Sequence, residues 1–409
     1  MKCRHCKADL SISFIDLGSV PPSNAYLTVE KLVLPEKWFP LKVGVCPVCW
    51  LVQTEDFAQA NELFDPEYAY FSSFSTTWLA HAQRYVTDMV TRFGLNAKSH
   101  VVEVAANDGY LLQYVKKAGI PCLGIEPTTS TASAARQKGI DIIEDFFGVS
   151  LAQKLARDGK QADLMVANNV LAHVPEVNDF VSGFTILLKP KGIATFEFPH
   201  LLQMVSRNQF DTIYHEHYSY LSLTAVQGIF DKNGLRIFDV QELMTHGGSL
   251  RVFACRKDSA GHQCLKCVSD MLSLESQQGL RSVDYYKDFQ KNANKVKDDF
   301  MAFLINAHER GKKVIGYGAA AKGNTLLNYA GVREELLSFV VDRNPAKQGK
   351  YLPGSRIPIV EEGRIKLFRP DFVVIFPWNL KEEITQQLSY VREWKGKFVT
   401  AVPKLEVDG

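Results

Sequence analysis

The sequence predicts an α/β protein with two doubly wound domains in tandem behind a small cysteine-bearing module. Three observations carry that expectation. Val101–Leu112 is an apolar run that breaks into a small, acidic, glycine-containing turn and resumes as a helix. Lys312–Asn324 repeats strand, glycine turn and helix with a different charge. Ahead of both, Cys3-x-x-Cys6 and Cys46-x-x-Cys49 form two knuckles of equal spacing. At 409 residues the chain exceeds one average domain. The pattern divides it into a metal module (1–70), a first doubly wound domain (71–260), a helical connector (261–310) and a second Rossmann-like domain (311–409).

Composition narrows the class. A hydrophobic content of 46% with 22% charged residues provides for real cores. A formal charge of +2 is too balanced for a nucleic-acid surface, so no nucleic-acid partner is expected. Met1–Cys6 has no apolar leader, and no stretch reaches the length of a membrane span without charges. A cytoplasmic protein with no membrane partner is the expectation. In that compartment the eight cysteines are thiols or metal ligands rather than disulfides.

In chain order, the thiolates of Cys3, Cys6, Cys46 and Cys49 can close a tetrahedron on zinc, and four protein ligands leave no open position, so the ion is structural. Cys264 and Cys267 repeat the spacing without a partner pair and are incidental. Phe64–Ser75 is a polar-aromatic loop. Its Tyr68, Tyr70, Ser72 and Ser73 either contact a hydroxyl-rich ligand such as a sugar or clasp the metal module against the next domain. A helical pattern follows from Thr77 to about Phe93.

At the carboxyl end of the Val101 strand, Ala105, Ala106 and Gly109 let a ligand approach the backbone. A pyrophosphate would need a turn free of negative charge. Here Glu103 and Asp108 flank it, together with Asn107, Tyr110 and Leu111. Two carboxylates suit a cation with an amino acid end, and S-adenosylmethionine carries both a sulfonium and an ammonium. Cys122–Pro127 reads as a second strand whose Glu126, beside Pro127, accepts from ribose hydroxyls. Ile140–Phe147 is a third, offering Asp145 and Phe146 to the adenine. Asp163–Val174 is a fourth, with Asn168 at the methionine part of the cofactor. His173 either lines the cleft or caps a helix. The central domain is therefore expected to be a Rossmann-like class I methyltransferase domain.

Gly192–His200 is a fifth strand, ending where a substrate should sit. It leads into Phe210-Asp-Thr-Ile-Tyr-His-Glu-His-Tyr-Ser-Tyr220, where aromatic rings alternate with two histidines and a carboxylate. Such a run makes a poor core, because every polar group would need a buried partner. His215 and His217 are two apart, unlike the one-turn spacing of a zinc protease helix, so an irregular segment feeding a cleft is expected. Further on, His246–Phe253 reads as a turn and an alternating strand. In the last domain the glycine loop carries Lys322 and no acid, which favours a phosphate. Gly318, Lys322, Asn324 and Arg343 are the candidate substrate contacts there. The spacing Gly316, Gly318, Gly323 fits a dinucleotide loop only in part. NAD with Asp342 on its ribose, a nucleotide-sugar diphosphate and no ligand all stay open.

With these segments in place, the whole chain resembles the sugar C-methyltransferases of deoxysugar pathways, which add a methyl branch at C3 of a nucleotide-linked 4-keto-6-deoxy sugar. The resemblance rests on the four cysteines, Val102–Leu112, Ala167–Val174, Tyr214-His-Glu-His217, Gly247–Arg251 and Gly316–Gly323. Ala105-Ala106 replaces a more usual Gly-Ser pair, small for small. The resemblance implies three parts, with a nucleotide-sugar substrate between the methyltransferase domain and a C-terminal domain lacking NAD. It implies His217 as the base that removes the C3 proton, with Tyr214, Glu216, His173 and a tyrosine of the Tyr68–Tyr70 loop, Tyr70 favoured, lining the pocket. The chemistry is sound on its own terms. A carbon beside a ketone yields its proton to a modest base when the enolate oxygen receives hydrogen bonds, and phenols are suitable donors. An imidazole of pKa about 6.5 is largely neutral at cytoplasmic pH. Glu216 either orients His217 or forms a structural ion pair with Arg251 or Arg343; Arg251 is also a candidate substrate contact. The expected activity is S-adenosylmethionine-dependent C-methylation at C3 of a dTDP-linked 4-keto-deoxy sugar. Its rivals are sugar O-methylation and an NAD-dependent sugar oxidoreductase. The oligomeric state is left open, a monomer included.

Overall fold

A computed structural model describes residues 1–55, 57 and 71–408. Tyr68 and Tyr70, and with them the Tyr68–Tyr70 expectation, lie outside the described residues. The strands are β1 (Ile12–Val20), β2 (Phe39–Val45), β3 (Val52–Thr54), β4 (Val101–Val104), β5 (Cys122–Ile125), β6 (Ile142–Ile143), β7 (Ala162–Asn168), β8 (Leu188–Pro199), β9 (Ser219–Tyr220), β10 (Leu235–Leu243), β11 (Ser249–Arg256), β12 (Val314–Tyr317), β13 (Val340–Val341), β14 (Ile359–Val360), β15 (Phe372–Ile375), β16 (Lys397–Thr400) and β17 (Glu406–Asp408). They form three sheets, ordered β1-β2-β3-β9, β10-β11-β8-β7-β4-β5-β6 and β14-β13-β12-β15-β16-β17. The α/β class, the N-terminal module and the Rossmann-like methyltransferase fold agree with the sequence.

The middle sheet starts at its centre. β4 pairs parallel with β5 and with β7, so strand order reverses there and a crevice opens at the carboxyl ends. β7 is buried along nearly its whole length, as a parallel strand covered on both faces must be. β11 then runs antiparallel between β8 and β10. The helix Thr76–Phe93 packs beside this sheet. Ser75 caps it by accepting from the Trp78 N–H, and Gly94 ends it in the left-handed region at φ 64°. The third strand is shorter than expected: β6 is two residues at the sheet edge, and Asp145 and Phe146 follow it in an exposed turn.

The C-terminal sheet also reverses order, between β12 and β15, and closes with an antiparallel edge strand. The segment before it is two helices, Lys266–Gln277 and Phe289–Glu309, not one. The second is core rather than spacer. Phe289 stacks on Phe14 of β1 at 4.3 Å, and Tyr286 meets both Phe14 and Trp50. One hydrophobic core consequently joins β1, β2, the helix Phe289–Glu309 and the C-terminal sheet, while a second joins Cys3, Cys46 and Leu51 to the central domain. The N-terminal module is thus wedged against both large domains. Among the described residues no helix is long and apolar enough to cross a membrane.

Candidate active site

The four cysteines converge. Their Sγ atoms all lie within 4.8 Å of one another, with Cys3 to Cys49 at 3.5 Å and Cys6 to Cys46 at 3.4 Å. A tetrahedron with zinc–sulfur bonds of about 2.3 Å has edges of about 3.8 Å, so the set fits the ion with little contraction. Gln53 Nε2 donates to Cys3 Sγ at 3.3 Å, which suits a thiolate. Lys7 and Trp50, each just past a knuckle, take positive φ so that each turn can close. Cys264 is exposed and outside this group.

The metal turns share a sheet with the histidine-rich segment. β3 pairs with β9, Val52 opposite Tyr220 and Gln53 opposite Ser219. The Thr54 hydroxyl donates to the His217 carbonyl at 3.0 Å, and Arg4 bridges the Thr54 and Tyr218 carbonyls. Sequence reading placed these elements separately; pairing between Val52 and Tyr220, 168 residues apart, leaves no local signal.

His217 is buried, with Nδ1 at 2.8 Å from the Thr212 carbonyl. A carbonyl only accepts, so Nδ1 holds the proton and Nε2 carries the lone pair. The Tyr214 ring lies 4.0 Å away, His173 at 4.6 Å and Tyr220 at 5.9 Å between ring centroids. Burial, reinforced by the neighbouring His173, holds the His217 imidazole well below its usual pKa, and burial alone brings His173 down to about 4. His173 is pinned through Nδ1 to the Glu216 carbonyl at 2.7 Å, so it lines the cluster. His215 turns away, to the Pro40 carbonyl and the Phe39 ring.

Glu216 corrects an expectation. Its carboxylate accepts from Ser23 Oγ at 3.2 Å and Asn24 Nδ2 at 3.0 Å, not from Arg251, Arg343 or His217. Burial raises its pKa. Arg251 instead serves the buried Glu197, which also receives His81 and the Thr245 hydroxyl. Arg343 is exposed, with its guanidinium on Gln387 and toward Glu362. Asn324 donates to the Ser23 carbonyl at 2.6 Å, which links the C-terminal domain to the Glu216 pocket.

At the end of β4, Ala105 and Asn107 take positive φ and Gly109 lies at φ +75°, forming the tight turn that the residues suggest. Glu126 accepts from the Asn107 and Thr128 amides, which fixes the turn against β5. Ser72 and Ser73, expected as substrate contacts, are held on this turn: their amides donate to Asn107 Oδ1 and Asp108 Oδ2. Lys138 also reaches Asp108. Burial, with Asp108 and Glu126 nearby, raises the Glu103 carboxyl well above its usual pKa. Among the described residues, Asp108 Oδ1 and both amide atoms of Asn168 are buried without a partner. Such acceptor-rich orphans fit an ammonium and a sulfonium. Glu103, Ala105, Asn107 to Leu111, Glu126, Pro127 and Asn168 could hold the cofactor, whereas Asp145 and Phe146 stand exposed beyond β6.

In the last domain, a Cβ at Gly318 (φ +88°) would meet the Pro377 ring, and Asp342 accepts from the Ala319 amide at 2.8 Å. The space and the amide that a pyrophosphate would use are taken by the protein itself. Lys322 turns toward the first domain. Its ammonium lies 4.2 Å from the Trp378 ring and bonds Asn379, and burial, opposed by Asp211, pushes it down to about 8. Trp378 Nε1 donates to Asp211 Oδ2 at 2.7 Å, and burial lifts Asp211 to about 6. Trp378, His81, Glu197, Ser23 and Asn24 were not found from sequence, because nothing in their local runs marks them; Asp211 lies in the marked run Phe210–Tyr220 but was not singled out within it. Only His246, beside a Gly-Gly pair, carried a visible cue.

The fold and these sites define an S-adenosylmethionine-dependent methyltransferase with a structural zinc module. Three family models match the chain: "Putative zinc binding domain" over 3–64, "Methyltransferase domain" over 78–240 and "C-methyltransferase C-terminal domain" over 244–403. The C-methyltransferase NovU of Streptomyces niveus is 33% identical over 406 residues, covering 99% of this chain and 96% of that one. The chain belongs to the C-methyltransferase family. Among solved structures, magnesium protoporphyrin IX methyltransferase of Synechocystis PCC 6803 is similar at 18% identity, covering 44% of this chain and 79% of that one with a TM-score of 0.34. A methyltransferase of Anabaena variabilis is similar at 13% identity, with 44% and 86% covered and a TM-score of 0.36.

Proposed function

We propose that the protein methylates C3 of a dTDP-linked 4-keto-6-deoxy sugar, with His217 as the base and an enolate as the intermediate. The observation that carries this reading is the His217 imidazole, pinned through Nδ1 to the Thr212 carbonyl and packed against the Tyr214 ring. Bound S-adenosylmethionine supplies an electrophilic methyl on a sulfonium. The chain's own residues prepare the carbon. His217 Nε2 takes the C3 proton, and its low proton affinity keeps it unprotonated until a polarised substrate arrives. The Tyr214 hydroxyl donates to the ketone oxygen as charge develops there. His173 shares the pocket as a neutral ring, and Glu216, tied to Ser23 and Asn24, holds the segment in place. Lys322, at the junction rather than in the filled Gly318 loop, faces the diphosphate; a charged group there is suited to that task.

The family membership supports C-methylation over O-methylation, and the filled Gly318 loop argues against NAD. The test is proton exchange in deuterated water with the ketosugar nucleotide and no methyl donor. Both C3 and C5 flank the C4 ketone, so mass and NMR must locate the label. Exchange at C3 that vanishes in H217A supports the reading. Exchange at C5 overturns the position, and methyl transfer to oxygen without exchange overturns the reaction.

A further inference from the structure

His246 stands in the cleft between the two domains and has no role in the reaction just described. It adopts φ 54° and ψ 25°, a left-handed conformation that non-glycine residues hold only where their surroundings enforce it. The enforcement is visible on every side. Thr245 Oγ1 is tied to Glu197 at 3.0 Å, Gly248 N and Ser249 Oγ both return to the Thr245 carbonyl, and the Gly247 carbonyl accepts from Gln209 Nε2 at 2.9 Å and Arg207 Nη1 at 3.2 Å. The Trp378 ring, from the other domain, fills the place where a side chain at Gly247 would stand. The turn is therefore clamped by both domains, and the clamp aims one side chain.

That side chain is not satisfied among the described residues. Its Nδ1 is buried and has no hydrogen-bond partner among them, while the ring meets Trp78 edge-on at 5.2 Å. Trp78 in turn stacks on Tyr110 of the cofactor turn. His246 is also close enough to His217 and Lys322 for the charge of each to bear on another. A buried polar atom without a partner is costly, and a strained residue that keeps one is positioned for a ligand. The ligand's chemistry follows from the charges around it. Burial and the Lys322 ammonium press the imidazole down to about 4, so it remains neutral beside a cation. A neutral imidazole is a weak anion site but pairs well with a hydroxyl, which both donates and accepts. The phosphate side belongs to Lys322.

Resting on the ketosugar reading above, we propose that His246 is a further substrate-contacting residue, whose imidazole hydrogen-bonds a ring hydroxyl of the sugar and selects ketosugars that keep it. A site built to bond a hydroxyl rejects the analogue without it, because its own polar group is then left unpaired.

Two variants isolate the contact while respecting the backbone. H246G removes the imidazole and relieves the left-handed strain; H246N keeps a hydrogen-bonding group in a residue that tolerates that conformation. Steady-state kcat/KM is measured for wild type and both variants on the 4-keto-6-deoxy sugar nucleotide and on its 2-deoxy and 3-deoxy congeners. Loss of one hydroxyl should cost wild type about tenfold, cost H246G nothing further, and cost H246N an intermediate amount. Melting temperature checks that both variants fold. If both deoxygenations affect wild type and H246G equally, the proposal is overturned while the ketosugar reading stands. If wild type turns over none of the three, that reading fails and this one with it.

Discussion

A tautomer decides what His217 can do. With Nδ1 on the Thr212 carbonyl the lone pair is fixed on Nε2, whereas His215, two residues away, spends its ring on Pro40 and Phe39. Residue chemistry marked the whole run Phe210–Tyr220 as unsuited to a core but left it to the family resemblance to choose His217 over His215, because the physical distinction lies in carbonyls they reach only after folding. H217A should lower turnover by about 10²- to 10⁴-fold and Y214F by about 10²- to 10³-fold, with cofactor affinity by calorimetry nearly unchanged. A fully active H217A would remove the base. The acid limb of kcat/KM should fall well below the ordinary histidine value of 6.5, since burial holds His217 down. An alkaline limb should set in near 8, where Lys322 loses the charge proposed to face phosphate. K322M should lack that limb and raise KM. A limb that persists in K322M would assign it elsewhere.

At the scale of elements, the β4 turn was legible because its chemistry is local: small residues, acids and a helix follow one another in the chain. The same holds for the four cysteines. The β3–β9 pairing was not, and it is the more consequential, since Thr54 and Arg4 hold the backbone of Tyr218 and His217 from the metal module. Cys46→Ser, or exhaustive chelation, should abolish methyl transfer while the central sheet still binds cofactor. Thr54→Val should cost about 1 kcal/mol of stability and lower turnover without releasing zinc. Zinc content by atomic absorption beside calorimetric cofactor binding checks both; a metal-free protein of undiminished turnover would disprove the coupling. The expected ion pair of Glu216 with Arg251 or Arg343 failed for a related reason. A basic residue in sequence does not name its acid, and Glu197 and Glu362 lie closer in space than Glu216.

For the whole molecule, two chain segments read as doubly wound folds and both are, yet their turns differ in what fills them. The first leaves orphaned acceptors; the second is plugged by Pro377 and bridged by Asp342. Charge in the loops was visible in the sequence, whereas the plug, from 59 residues beyond Gly318, was not. Burial at the junction also sets the pH response. His173 is neutral in the fold with its pKa pushed from 6.5 to about 4, so the unfolded chain binds a proton that the folded one refuses. Its contribution is lost as pH falls from 6.5 toward 4, while Asp211, lifted from 3.8 to about 6, acts in the opposite direction. H173N should therefore take up about one proton fewer on acid unfolding than wild type, read as a shallower slope of urea stability against pH in that window. An unchanged slope would mean that His173 ionises in the fold.

The shared edge of β3 and β9 gives the ion an influence that it exerts without touching any reacting atom. A molecule starved of zinc would still recognise its methyl donor and would idle, its imidazole adrift from the proposed substrate. Metal availability would thereby become a licence for the reaction, granted through one strand pairing and the few hydrogen bonds of Thr54 and Arg4.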